Sequence, residues 1–172
     1  MSGGRAAPYQ RTCVSMGDRY RTSTRTGCCS MARSVCLRHA GNDAPAGTEV
    51  IELLLNGGPV AATTDEQLAS ALALAASMPQ FELWASVPDG PTLCMLRNAE
   101  HAWLMYLHEP GDGGFHSCGN EHRAGNAYFR LDNGQVDGYP LAWCIDVEAC
   151  FAAISFFHGN AGARPEHVDW QS

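Results

Sequence analysis

Residues 127–140, AYFRLDNGQVDGYP, constrain the fold more than any other stretch of the chain. Apolar and polar side chains alternate on both sides of Asn133-Gly134, a dipeptide typical of two-residue type I′ turns in β-hairpins. In that register Leu131 pairs with Val136, and Arg130 pairs with Asp137. The alternation predicts two half-buried antiparallel strands, so other strands and helices must cover their apolar face.

Two segments predict α-helices. In TTDEQLASALALAASMP, we expect Thr64 as the N-cap, Gln67 as its capping-box partner and Pro79 as the end signal. For the second helix we expect Asp146 as the N-cap and Gly159 just past the end. Its apolar side chains recur at helical spacing and predict a buried stripe: Val147, Cys150, Phe151, Ile154 and Phe157.

The remaining regular segments predict strands. TEVIELLLN is expected to end at Gly57–Pro59, FELWASV alternates, and HVDW is a short last strand. TLCMLRNAEHAWLMYLHE predicts two strands that turn at Asn98-Ala99, with Arg97 opposite Glu100. The sequence therefore predicts an α+β fold, an antiparallel sheet of about five to seven strands with two main helices packed on it.

Charge divides the chain into two regions. Residues 1–45 carry seven Arg and two acidic residues, whereas residues 46–172 carry four Arg and sixteen Asp or Glu. Residues 1–45 also have few large apolar side chains, so we expect a basic, disordered N-terminal extension before an acidic domain at 46–172. No apolar run approaches the ~18 residues of a membrane span, and no secretory signal is evident. We therefore expect a cytoplasmic protein.

The acidic balance also limits the class of partner. Affinity for a phosphate backbone comes from cationic side chains, so an acidic domain is a poor candidate for direct nucleic-acid binding. Complementary charge raises the rate of encounter with a basic protein. The composition favours a basic protein partner.

The segment HSCGNEH holds the best cluster of soft ligands. A structural zinc site needs four ligands, usually in pairs with short spacings such as CxxC. Here His116, Cys118 and His122 are unevenly spaced, and a fourth ligand would have to come from Cys144 or Cys150. We expect no metal and no cofactor. One alternative is a small zinc-binding regulatory or nucleic-acid module built on these residues, and another is a thiol enzyme that uses Cys118.

Motifs that carry catalysis are absent from the sequence. It contains no GxSxG, Walker-type loop, GxGxxG or HExxH, and no zinc-deaminase signature. The adjacent carboxylates Asp65 and Glu66, like Asp146 and Glu148, open predicted helices, where they favour the positive end of the helix dipole. We therefore expect no catalytic residues.

The segment 139–170, YPLAWCIDVEACFAAISFFHGNAGARPEHVDW, resembles the C-terminal signature of immunity protein family number one from bacterial polymorphic toxin systems. The upstream LMYLHEPGDGGF resembles the strand and Gly-rich loop that precede it in that family, and the resemblance covers roughly residues 48–171. The matching elements are Tyr139-Pro140, Ala142-Trp143, Ile145–Val147, the helix, Gly162, Pro165 and Val168-x-Trp170.

The resemblance implies an α+β protein without catalytic residues that binds a cognate toxin and neutralises it. In that family the toxins are often nucleic-acid deaminases and sometimes nucleases, delivered to competing cells. Gly138 stands where an acidic or polar residue is common in the family, and the Cys- and His-rich loop is also a departure. These departures leave the identity of the toxin open.

A toxin site that handles nucleic acid is lined with Arg and Lys, so the surface that covers it should present carboxylates. The Gly-rich loop and the polar face of the hairpin fit this description. The predicted partner-binding residues are Glu109, Asp112, Glu121, Asp132 and Asp137. Asp137 ranks last because Arg130 is expected opposite it. Asp65 and Asp146 rank below the five because they open helices.

Overall fold

The structure is a computed structural model, and it describes residues 51–172. The extension predicted for residues 1–45 lies outside the described residues. In chain order the elements are β1 (Glu52–Leu55), β2 (Gly58–Val60), α1 (Asp65–Ala76), β3 (Phe81–Ser86), β4 (Thr92–Arg97), β5 (Ala102–Leu107), β6 (Phe115–Ser117), β7 (Asn126–Arg130), β8 (Val136–Pro140), a 3₁₀ turn (Leu141–Trp143), α2 (Val147–Gly159) and β9 (Trp170–Gln171).

Two antiparallel sheets contain these strands. The main sheet has seven strands in the order β2-β1-β3-β4-β5-β6-β9, and β7 and β8 form a separate two-stranded sheet. With two helices, this arrangement confirms the predicted α+β fold and its antiparallel sheet. Within residues 51–172, neither helix combines the length and apolar character needed to cross a membrane.

One face of the main sheet carries the core beneath α2. Leu83, Met95 and Leu104 are cross-strand neighbours on β3, β4 and β5, and all three are fully buried. Ile154 and Phe157 of α2 are also 0% exposed and belong to the same cluster. The helical stripe predicted from the sequence is therefore the stripe that covers the sheet.

Phe151 belongs to that stripe but reaches the edge of the core. It is only half-buried, and its ring stacks on that of Phe81 with centroids 6.1 Å apart. The prediction that the stripe is buried is therefore confirmed for Ile154 and holds only in part for Phe151.

The opposite face of the main sheet is covered in part by the β7–β8 hairpin. Phe129 is 0% exposed, and the Tyr139 ring stacks on Trp103 of β5 with centroids 4.1 Å apart. Trp143 continues the aromatic cluster, 6.3 Å from Tyr139 and 3.7 Å from the ring of His116. Stacked aromatic side chains therefore pack the second sheet against the first.

A buried carboxylate provides the polar connection between the sheets. Glu82 of β3 is 1% exposed. Its Oε1 accepts from Trp84 Nε1 at 2.5 Å, and its Oε2 accepts from the Asp132 backbone N–H at 2.8 Å. Because Asp132 lies in the β7–β8 loop, Glu82 fixes the position of that loop against the main sheet.

The β7–β8 hairpin differs from the predicted one by one residue. The structure pairs Arg130 with Val136, and Phe129 with Asp137. A type I′ turn needs positive φ at two residues, whereas within loop residues 131–135 positive φ occurs only at Gly134 (84°). The loop is a type I turn followed by a left-handed glycine, closed by hydrogen bonds from Leu131 N to Gln135 O and from Gly134 N to Leu131 O.

This shift moves side chains to the other face of the strand. Tyr128 pairs with Gly138, and Ala127 pairs with Tyr139, so the rings of Tyr128 and Tyr139 lie on opposite faces. Asp137 lies on the inner face. The predicted Arg130–Asp137 pair is therefore wrong.

Two other turns differ from expectation. Asn56 and Gly57 have φ of 50° and 74°, the pattern of a two-residue type I′ turn that joins β1 to β2. The predicted strand end at Gly57–Pro59 is therefore a hairpin. Farther along, Arg97 pairs with Ala102 rather than with Glu100, because Asn98 Oδ1 accepts from the backbone N–H groups of residues 100 and 101 and holds a longer turn.

The N-cap of α1 agrees with the sequence. Thr64 caps α1, since its Oγ1 accepts from Gln67 N at 3.2 Å, but Gln67 Oε1 accepts from Thr63 N instead of closing a capping box with Thr64 N. The ends of α2 differ from expectation. Asp146 is the N-cap of α2 by position, but its side chain makes no capping hydrogen bond. Gly159 is still helical. The left-handed residue past the end is Ala161 (φ 49°), and Gly162 N donates to Phe157 O in a Schellman motif.

Candidate partner-binding surface

The loop after β5 carries two of the predicted partner-binding residues, Glu109 and Asp112. Asp112 accepts backbone hydrogen bonds from His108 N at 3.1 Å and Gly114 N at 3.3 Å. These bonds hold the pKa of the Asp112 carboxyl below its usual value, because they stabilise the charged form. Asp112 is exposed and charged, but it also organises the loop that presents Glu109.

Both carboxylates line an open groove of about 570 Å³. Arg164 lies in the same groove, with its guanidinium 4.4 Å from the centroid of the Phe115 ring. Tyr106 donates to Gly162 O at 3.3 Å, and burial raises the pKa of its phenol. The groove therefore offers negative and positive groups side by side and suits polar recognition.

The loop after β6 presents Glu121 to solvent. Glu121 Oε1 lies 3.8 Å from His122 Nε2, and both side chains are more than four-fifths exposed, at 88% and 86%. An ion pair this exposed contributes little to stability. Glu121 is therefore accessible to a partner at small structural cost.

The side chains of the HSCGNEH segment take separate positions. The ring of His116 stacks on Trp143, Cys118 Sγ lies 3.9 Å from Gln171 Oε1, and His122 points to solvent. Within residues 51–172, no three His, Cys, Asp or Glu side chains are grouped so that they could hold a metal ion. The geometry gives no support to the zinc-module alternative.

Cys118 lacks the environment of an activated thiol. Burial raises its pKa, and the Asp169 carboxylate beside it raises the pKa further. A catalytic Cys needs a depressed pKa, because the thiolate is the nucleophile. The direction of this shift opposes the thiol-enzyme alternative.

We expect Cys118 to react with iodoacetamide more slowly at pH 7.5 than an unstructured cysteine does. Its reaction rate should increase as the pH rises above 9. The reason is its raised pKa. Peptide mapping by mass spectrometry follows this residue separately from the other cysteines, and the same peptide in urea supplies the reference rate. A native rate above the urea rate near neutral pH would instead identify an activated nucleophile.

Asp132 and Asp137 lie on the hairpin in different settings. Asp132 is exposed, and its Oδ2 approaches the β1–β2 turn so closely that a Cβ on Gly57 would lie 2.7 Å from it. Asp137 accepts from Gln135 Nε2 at 2.6 Å. Burial and the hydrogen bond to Asp137 both raise the pKa of the Tyr139 phenol. The Asp137 side chain is thus hydrogen-bonded within the hairpin, to Gln135 and Tyr139, and not paired with Arg130 as predicted.

The five predicted residues do not form one patch. Glu109 and Asp112 follow β5 at the end of the main sheet where Leu107 pairs with Thr92. Asp132 lies at the other end, beside Gly57. The central strands between these ends are six residues long, which corresponds to about 20 Å at ~3.3 Å per residue. The acidic groups are distributed over the molecule.

A second acidic groove, of about 300 Å³, lies at the start of α2. None of the five predicted partner-binding residues lines it. Asp146 and Asp169 line it together with Arg123, and both carboxylates are exposed. Asp146 ranked low because a helix cap was expected to occupy it, yet its side chain makes no such bond. No signal in the sequence separates a capping Asp from one that only occupies the cap position.

Comparison with known proteins identifies a family. The model of the family described as Immunity protein Imm1 matches residues 56–172. The matched range contains both helices and every strand except β1. No curated protein gives a significant match to the chain.

Proposed function

Since the chain belongs to the immunity protein Imm1 family and has the antitoxin role of that family, we propose that its cognate toxin is a basic protein that acts on nucleic acid, a deaminase or a nuclease. In this proposal the chain works in the cytoplasm of the producing cell, within a polymorphic toxin system of interbacterial competition. It acts as an inhibitor that covers the toxin's active site, without enzymatic activity and without a cofactor.

The charge of residues 51–172 carries this proposal. Residues 51–172 contain fifteen Asp and Glu against four Arg and no Lys. Within residues 51–172 the acidic side chains thus outnumber the arginines by eleven. A site that binds phosphates is cationic, so this field attracts such a toxin.

The placement of the carboxylates indicates what they contribute. Glu109, Glu121 and Asp132 lie on three different loops, and they do not converge on one pocket. Charges spread over a surface act mainly on the encounter rate, whereas buried, closely packed contacts act on the dissociation rate. We therefore propose that the acidic loops mainly raise the rate at which the toxin associates with the chain.

Replacing Glu109 and Glu121 with Gln and Asp132 with Asn should slow association with the toxin by about 3–10-fold at low salt and flatten its salt dependence. The dissociation rate should change little. Asp112 is left unchanged because its side chain organises its loop. Stopped-flow measurements with an inactivated form of the toxin domain encoded beside this gene give both rates.

The matched control removes the same charge from helix starts, with Asp65→Asn, Glu66→Gln and Glu148→Gln. If the control slows association equally, the loops have no special part and only net charge matters. If neither variant slows association at low salt, the toxin is not steered by charge and the proposed basic site is contradicted. Thermal unfolding should place both variants within about 0.5 kcal/mol per surface substitution of the parent.

A further inference from the structure

We infer that the outer face of the β7–β8 hairpin binds the toxin tightly. Tyr128 is the anchor residue, and its ring enters an apolar pocket on the toxin. This inference rests on the proposed function, because it concerns the same partner. It assigns the tight contact to a different surface from the acidic loops. We call the surface made by Tyr128, Arg130, Val136 and Gly138 the hairpin patch.

The hairpin patch exposes large apolar side chains. Within residues 51–172 the large hydrophobic residues with high exposure are Tyr128 at 63%, Val136 at 59% and Leu74 at 47%. The register pairs Tyr128 with Gly138, and Arg130 with Val136, so these four residues share the outer face. Two of the three exposed hydrophobic side chains therefore lie together, and the third lies on α1.

The strand beneath Tyr128 is held in place from the inner side. Its neighbour Phe129 is fully buried, and Asn98 Nδ2 donates to the Tyr128 carbonyl at 3.0 Å. Across the hairpin, Tyr139 stacks on Trp103, and Glu82 holds the loop at Asp132. The patch is thus presented by a fixed backbone, as an anchor requires.

The Tyr128 ring is itself positioned before any partner arrives. A Cβ on Gly138 would lie 3.0 Å from Tyr128 Cε1 and 3.2 Å from Cδ1. The ring therefore lies over the cross-strand glycine, in space that a side chain would fill. An aromatic ring that is already ordered loses little conformational entropy on binding, which favours affinity.

The chemistry of the patch fits the toxin as its occupant. Tyr and Arg are among the residue types most enriched where single side chains dominate binding energy. A cognate toxin is the partner that membership of an immunity protein family implies. The partner surface should therefore offer an apolar pocket for the Tyr128 ring and an acceptor oxygen for the Arg130 guanidinium.

The test compares substitutions in the full chain against an inactivated toxin domain encoded beside this gene. Tyr128→Ala should raise Kd by at least about 30-fold, mainly through faster dissociation. Tyr128→Phe, which keeps the ring, should stay within a few-fold of the parent. Leu74→Ala is the matched control, since it removes the exposed hydrophobic side chain on α1, and it should leave Kd unchanged.

Gly138→Ala tests the position of the ring without removing it. The added Cβ pushes the Tyr128 ring aside, so Kd should rise by several-fold. Circular dichroism and thermal unfolding must show that Tyr128→Ala and Gly138→Ala remain folded. Toxin neutralisation in cells that express both proteins should fall in the same order as affinity.

Three outcomes would overturn the inference. Equal Kd for the parent and Tyr128→Ala would place the interface elsewhere and leave the proposed function standing. A change of oligomeric state on Tyr128→Ala, seen by sedimentation and without loss of toxin affinity, would make a second copy of this chain the occupant. Failure of the parent to bind the toxin would contradict the proposed function itself.

Discussion

Replacing Ile154 with Ala should lower the free energy of unfolding by about 2–5 kcal/mol, the range for aliphatic side chains truncated in a packed core. Ile154 is 0% exposed and faces the main sheet from α2, which packs on β3, β4 and β5. Truncation removes buried methyl groups and leaves a cavity that the sheet beneath cannot close. Urea unfolding measures the loss, provided that the m-value stays constant.

Phe151→Ala is the control within the same helix. It removes more atoms, but Phe151 is half-buried, so we expect a smaller loss of about 1–2 kcal/mol. If Phe151→Ala cost as much as Ile154→Ala, the helix would be rotated relative to the structure. If both were tolerated while toxin binding fell, this face of α2 would be an interface.

Replacing Glu82 with Ala should lower the free energy of unfolding by about 3–5 kcal/mol, because it leaves two hydrogen-bond donors without their acceptor. Each hydrogen bond to a carboxylate contributes ~1.5–3 kcal/mol. The donors are Trp84 Nε1 and the Asp132 backbone N–H. Glu82→Gln keeps the size of the side chain and one acceptor oxygen, but its amide NH₂ faces one of the two donors. We therefore expect it to lower the free energy of unfolding by about 1–3 kcal/mol.

Hydrogen exchange distinguishes this effect from a general loss of stability. Since Glu82 connects the hairpin loop to the main sheet, Glu82→Gln should reduce the protection of β7 and β8 amides more than that of β3 to β5. Equal loss in both sheets would mean that the substitution lowers the stability of the whole fold and does not act on the hairpin in particular. Unchanged protection throughout would contradict its role as the polar connection between the sheets.

The helices and most strands could be predicted because each has its own periodicity. The register of β7–β8 could not, since Asn133-Gly134 suits both a two-residue loop and a type I turn followed by a left-handed glycine. The choice depends on the distant contacts of Glu82 with Asp132 and of Tyr139 with Trp103. The type I′ turn is at Asn56-Gly57 instead, where a three-residue strand that contains Pro59 gave a weak signal.

The acidic character of the candidate surface could be predicted from the sequence, and the arrangement of its residues could not. The charge balance identified an acidic surface, but the separation of Glu109 from Asp132 follows from the strand order. The predicted register placed Tyr128 and Tyr139 together on the polar face of the hairpin. The structure shifts the pairing by one residue, which turns Tyr139 to the inner face and leaves Tyr128 on the outer face without Tyr139 beside it, 63% exposed.

The strand order also bears on how the chain reaches its native state. From β3 to β6 each strand pairs with the next one in the sequence, so many contacts join residues that are close along the chain. Folds rich in such local contacts cross the folding barrier sooner, because less loop-closure entropy is lost beforehand. We expect the β3–β4–β5 meander to nucleate the fold, with α2 docking on it afterwards. For an antitoxin, a short interval between synthesis and a binding-competent fold shortens the time in which the cell is unprotected.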